Sequence, residues 1–116
     1  MSTFQKKSFN APDGTHALPK ARLEIVSFGD MSVARATLEP GWTWSEHIKP
    51  IAGTESAEET HFSYIISGRF HIAMNDGTEA DLGPGDIAIV PPGHQAWVIG
   101  DEPVISLDFQ GASRNV

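Results

Sequence analysis

Five histidines and no cysteine set the chemistry open to this chain. Imidazole is its natural donor to a transition metal, and thiolate sites and disulfides are excluded. His47 ends the run Gly41-Trp-Thr-Trp-Ser-Glu-His47, and His61 opens His61-Phe-Ser-Tyr-Ile-Ile-Ser-Gly68. His94 follows the turn in Gly85-Asp-Ile-Ala-Ile-Val-Pro91-Pro92-Gly93-His94-Gln-Ala-Trp97. Each lies on a strand-like stretch next to a tight turn, which is how a barrel gathers residues distant in sequence. Read as one strand, residues 43 to 49 put Thr43, Ser45, His47 and Lys49 on one side and Trp42, Trp44, Glu46 and Ile48 on the other. The polar side is either the wall of a wet cavity or the solvent face of the strand. No Ser-His-Asp order, phosphate-cradling glycine loop or hydrolase-type carboxylate pair stands out, so covalent and phosphoryl chemistry have no support.

The elements that must position these residues are short β runs at regular spacing: 23–28, 32–38, 43–48, 61–66, 69–74, 78–82, 87–90, 95–99 and 104–109. No stretch carries an apolar stripe at helical period, and eleven Gly with eight Pro supply the turns between strands. The expected fold is therefore all-β, with Asn75-Asp76-Gly77 as a hairpin and Gly83-Pro84-Gly85-Asp86 and Gly100-Asp101-Glu102-Pro103 as further turns. Residues 1–20 read as an N-terminal arm and loop, and residues 21–116 as a single β-barrel domain. Residues 49–60 form the one long connection, either a lid over a site or a tolerated insertion.

The glycine-bounded blocks resemble the two motifs of the cupin family. The first family motif runs Gly, five residues, His-x-His, a short gap, Glu, six residues, Gly; the second runs Gly, five residues, Pro-x-Gly, two residues, His. Gly41 with His47, His61 with Gly68, and Gly85 with Pro91 and Gly93 fall in register. Lys49, His61 and Ala96 stand where the family has its second His, its Glu and its last His. The resemblance covers roughly residues 35–109 and implies a double-stranded β-helix, or jelly-roll barrel, with a metal site inside. It implies His47 and His61 as ligands of a divalent transition metal (Fe, Mn, Ni or Zn); beside it, His94 is a third candidate ligand, and Lys49, Ser45 and Tyr64 are candidates to contact a small, anionic molecule. The family's activities include dioxygenases, isomerases and metal-free binding modules, and all three stay open here.

Two of these positions carry an internal tension. His94 lies two residues before the family's ligand, a displacement of about 6.6 Å along a strand, so it is inward through a bulge or hangs at the barrel mouth. An ammonium about 6 Å from a divalent ion, at an effective dielectric near 20, is repelled by roughly 5 kcal/mol. Lys49 therefore needs a neighbour among Glu46, Glu58 and Glu59, or a rim position where it binds a substrate carboxylate. His71 is expected on an outer strand face, Trp97 in core or interface packing, and His16 has no assigned role.

At 116 residues with a formal charge of −7, the chain is of one-domain size and lacks the basic surface that phosphate backbones require. Nucleic acid is not an expected partner. No apolar run approaches the roughly 18 residues of a membrane span and no signal-peptide core is evident, so the expectation is a soluble, cytoplasmic protein with no membrane partner. Phe4, Phe9, Trp97 and the apolar β runs predict a homodimer.

Overall fold

The computed structural model describes residues 3–109; residues 1–2 and 110–116 of the arm and domain assignments lie outside that range. Among the described residues nine strands form two antiparallel sheets, with about 51% of those residues in strands and 7% in helix. They are β1 (Gly14–Leu18), β2 (Ala21–Phe28), β3 (Met31–Leu38), β4 (His61–Ser67), β5 (Arg69–Met74), β6 (Glu79–Leu82), β7 (Ile87–Val90), β8 (His94–Ile99) and β9 (Val104–Asp108). One sheet has the order β1-β2-β3-β9-β4-β7 and the other β6-β5-β8. Each sheet turns one face inward. Between them, Trp42, Trp44, Ile48, Ile72, Val98 and Val104 pack as a single buried cluster. This is the jelly-roll barrel expected from the strand rhythm and the motif spacing.

Two elements differ from the sequence reading. Residues 43–48 are not a strand: Trp44–His47 form a helical turn, α1, and Lys49–Ala52 a second, α2. The cause is local. The Thr43 hydroxyl accepts a hydrogen bond from the Glu46 backbone N–H at 3.1 Å, one half of a Thr-x-x-Glu capping box. Pro50 then sits in the first turn of α2, and Gly53 closes it in the left-handed region. The second difference lies in the arm, where residues 14–18 form β1 and pair in full with β2, from Gly14↔Ile25 to Leu18↔Ala21.

Gly68 shows what the family spacing protects. It ends β4 at φ +82°, and an added Cβ would meet the Pro103 carbonyl and lie 2.7 Å from Val104 Cα. Only hydrogen fits where β4 turns into β5 against the start of β9. Just before it, the β4–β9 pairing shifts register between Ile65 and Ser67, a bulge that bends the strand toward this corner.

Candidate functional site

The barrel interior holds a cavity of about 60 Å³, room for a molecule of a few heavy atoms. Its wall is mainly apolar, from side chains such as Leu23, Trp44, Ile65 and Phe70. Its polar groups come from three strands. β4 alternates, so His61, Ser63 and Ile65 face inward while Phe62, Tyr64 and Ile66 face out. β9 contributes Ser106 and Asp108 to the cavity wall, and β8 contributes His94 and Ala96. No lysine or arginine is among the lining residues.

Two imidazoles meet here. The His61 Nδ1–H donates to Asp108 Oδ2 across the β4–β9 pairing, and Asp108 Oδ1 also accepts from the Phe62 backbone N–H at 3.3 Å. His94 donates from Nδ1 to the Pro91 carbonyl at 2.8 Å, because a carbonyl only accepts. Both rings thus keep Nε2 as the nitrogen open to a ligand. The rings stand edge to face with centroids 5.4 Å apart. Burial holds the His94 pKa below the ordinary histidine value, opposed in part by the Pro91 carbonyl and assisted by His61. His94 is therefore a neutral base and acceptor at pH 7.

One further group in the wall is unmatched. Trp42 is 1% exposed, and its indole Nε1–H has no hydrogen-bond partner among the described residues. A buried donor left without an acceptor costs roughly 1–3 kcal/mol.

The structure brings together two of the three histidines expected as ligands. His94 needs no bulge. It opens β8 with the same inward parity as Ala96 and Val98 and is 3% exposed. His47 is not among the cavity-lining residues; its Nδ1 lies 3.1 Å from both the backbone N and O of Thr43, at the start of its own helical turn. Ser45 is exposed on α1, and Tyr64 is exposed on the outer face of β4. Lys49 pairs with Glu55 at 2.9 Å, a different acid from the three considered above, and also lies outside the cavity wall. Among the described residues no group of three or more His, Cys, Asp or Glu is placed to hold a metal ion.

The sequence reading passed over Asp108, Ser63, Ser106 and Trp42. Their signal was strand parity: Ser106 and Asp108 alternate with Ile105 and Leu107, and Ser63 with Phe62 and Tyr64. The apolar members of each pair are the natural choice for the interior, which inverts the observed arrangement.

The segment 49–60 is not a free flap. Ala57 donates its backbone N–H to the His94 carbonyl at 2.8 Å and accepts from the Gly93 N–H at 2.7 Å. Ala57 itself is buried in the core cluster.

Comparison with known proteins places this architecture. The chain is 33% identical over 112 residues to the Pycsar effector protein PaPycTIR of Pseudomonas aeruginosa, covering 90% of this chain and 36% of the effector. It spans about a third of that relative's length. Among solved structures, it resembles the polyketide cyclase RemF of Streptomyces resistomycificus at a TM-score of 0.65 and 13% identity, over 94% of this chain and 80% of that one. It also resembles an oxalate decarboxylase of Lactobacillus farciminis, solved with formate, at a TM-score of 0.57 and 18% identity, over 84% of this chain and 30% of that one. At such identities the likeness speaks for the fold. The family model of the Cupin domain matches residues 34–109, from β3 to the last described residue, and the chain belongs to that family.

Proposed function

We propose that this chain is a small-molecule-binding module whose barrel interior takes a neutral ligand of a few heavy atoms, with an acceptor at one end, and needs no metal to hold it. The observation that carries this reading is the orphaned Trp42 Nε1–H in a mainly apolar wall. A carbonyl oxygen placed there satisfies the donor, while His94 Nε2 offers an acceptor for a ligand N–H or O–H. The anionic ligand expected through Lys49 loses its support, because Lys49 is paired with Glu55 and the one ionisable acid in the wall is Asp108. That the matching part of PaPycTIR is about a third of an effector protein fits a domain that binds within a larger chain.

A specific observation favours a second reading, a two-histidine metal centre. Anchoring Nδ1 on a carboxylate or a carbonyl is how metal-ligating histidines are oriented, and His61 and His94 are held in that way. A divalent ion there would supply Lewis acidity. The donor set is short by at least one protein ligand, so dioxygenase or isomerase chemistry rests on the family resemblance alone.

Elemental analysis of untagged protein, followed by titration with acetone, acetamide and acetate, separates these readings. The chain has three tryptophans, so the indole N–H region of a ¹H–¹⁵N spectrum holds three cross-peaks. The neutral carbonyl probes are expected to move the Trp42 peak in metal-free protein and acetate to leave it in place. Trp42→Phe, which keeps the ring and removes the donor, is expected to weaken acetamide binding by about tenfold. Stoichiometric metal with no response to either neutral probe would overturn the metal-free module.

A further inference from the structure

β6 and β7 follow one another in the chain but belong to different sheets, and each is the edge strand of its own. Between them runs an open groove of about 310 Å³. Its floor is apolar, from Ile72 and Met74 of β5, Leu82 of β6 and Ala88 and Val90 of β7. Asp76 and Glu79 are its charged lining residues, and no lysine or arginine joins them. Ile72, Leu82 and Val90 also line the interior cavity, so they form the partition that makes the groove a separate site.

The edges that flank this groove carry backbone groups left unpaired among the described residues. In an antiparallel ladder each residue turns its N–H and C=O to one neighbouring strand, and the next residue turns them to the other. The Phe62 carbonyl accepts from the Phe109 N–H, on the β9 side, so its partner Ile89 directs both groups away from β4. Ile87, of the same parity, does so too. On β5 the Met74 N–H bonds the Thr78 carbonyl, toward β6, while the Asn75 N–H bonds the Gly93 carbonyl, toward β8. Ala73 and His71 therefore bond β8, and their β6 partners Glu79 and Asp81 leave N–H and C=O on the open side. The two edges are guarded differently. β6 carries carboxylates there, whereas β7 reads Ile-Ala-Ile-Val, with no charge and no proline to discourage pairing.

We propose that this groove receives an extended, cationic segment of another protein, which adds to β7 as a strand and lays its basic side chains across the floor to Asp76 and Glu79. The N–H and C=O groups of Ile87 and Ile89 have the spacing of a strand ladder, which an extended backbone matches. Alternation then divides the side chains of the added strand. One set lies beside Ile87 and Ile89, which are 67% and 70% exposed, and gains by being apolar. The other must cross an apolar floor to reach two carboxylates, which lysine and arginine do by laying their methylene stems along it. Charge complementarity settles the sign, since the lining holds acids and no base and the whole chain carries a formal −7. Glu79 is held by His71 and Asp76 by the Thr78 N–H, so both carboxylates are in place before a partner arrives. The edge strands β1, β6, β7 and β8 hold no lysine or arginine, so a second copy of this chain lacks the complementary strand.

The test uses an acetylated, amidated peptide of about eight residues in which lysine and valine alternate, with a glutamate–valine peptide as control. The lysine peptide is expected to shift the ¹H–¹⁵N cross-peaks of Ile87, Ile89 and Glu79, with affinity falling as salt rises, and the glutamate peptide to leave them in place. Ile89→Pro removes an N–H on the open side and no ladder bond, and is expected to weaken the lysine peptide by about tenfold with an unchanged far-UV spectrum. Glu79→Lys, at an exposed position, is expected to weaken it by a similar factor through charge alone, and decides the matter if the proline variant does not fold. Absence of shifts with the lysine peptide at millimolar concentration would overturn the proposal, as would equal binding of the two peptides. So would binding that survives both variants, which marks general attraction to an acidic surface, or Ile87 and Ile89 cross-peaks that move with protein concentration alone, which marks a second copy at the edge.

Discussion

His94 and His71 lie on neighbouring strands of the same three-stranded sheet, and their surroundings differ as much as two imidazoles in one small domain can. His94 is on β8 and faces inward, and its ring bonds a backbone carbonyl, that of Pro91. His71 is on β5, opposite Trp97 of β8, and faces outward. It lies between two carboxylates, with Nδ1 at 2.5 Å from Asp81 and Nε2 at 2.6 Å from Glu79, and it stacks on the Trp97 ring at 4.5 Å. Using both nitrogens as donors requires the imidazolium. The hydrogen bonds to Asp81 and then Glu79 accordingly raise the His71 pKa, while burial lowers that of His94. One residue of strand parity separates an imidazole that faces the cavity, with its pKa lowered, from one that faces outward, with its pKa raised.

The largest test of this contrast removes the acid on each side. Asp108→Ala strips His61 Nδ1 and the Phe62 N–H of an acceptor in a buried setting, and is expected to cost roughly 1–3 kcal/mol in urea denaturation. Asp81→Ala is expected to leave the midpoint almost unmoved, because solvent and Glu79 remain to serve His71. Equal losses would break the distinction between the two sites.

A second test reads the protons directly. Long-range ¹H–¹⁵N spectra are expected to place the His94 titration below the ordinary 6.5 and that of His71 above it. The linked stabilities run in opposite senses. His94 binds its proton more weakly when folded, so its contribution is full above 6.5 and declines as pH falls below that value toward the folded pKa. His71 binds its proton more strongly when folded, so its contribution is full below 6.5 and is lost as pH rises through its elevated folded pKa. Thermal melts of His71→Asn and His94→Gln across pH 5–8 check both signs.

The smallest effect belongs to Lys49. Its pair with Glu55, which lowers the Glu55 pKa, lies at the surface. Lys49→Ala is expected to leave acetamide binding and the melting temperature within error, and loss of binding would return the lysine to the site.

Much of this was legible from residue types and spacing. The strand rhythm, the turns and the motif glycines led to the barrel, because hydrophobic period and positive-φ positions are local properties. His61 was legible by register, whereas His94 stands two residues before the family's ligand position and was named for its residue type beside the motif turn. The helical turn at Trp44–His47 was missed although its Thr43-x-x-Glu46 cap was present, since alternation of Trp42 and Trp44 with polar residues imitates a strand. Asp108 was missed for a non-local reason. On β9 the more apolar set, Ile105, Leu107 and Phe109, does not face the cavity, and nothing within one strand states that its outer face is apolar as well.

Gly68 bears on folding rather than on the finished barrel. A pairing error of one residue along β4 would turn His61 and Ser63 to the outside and bring Phe62 and Tyr64 into the cavity. Hydrophobicity alone does not penalise that error, because the misplaced residues are the greasier ones. Steric exclusion does. The corner against Pro103 and Val104 admits no side chain, so a shifted strand would have to seat Ser67 or Arg69 where only a hydrogen fits. A residue without a side chain thereby acts as the proofreader of the strand, and decides whether histidine or phenylalanine faces the cavity.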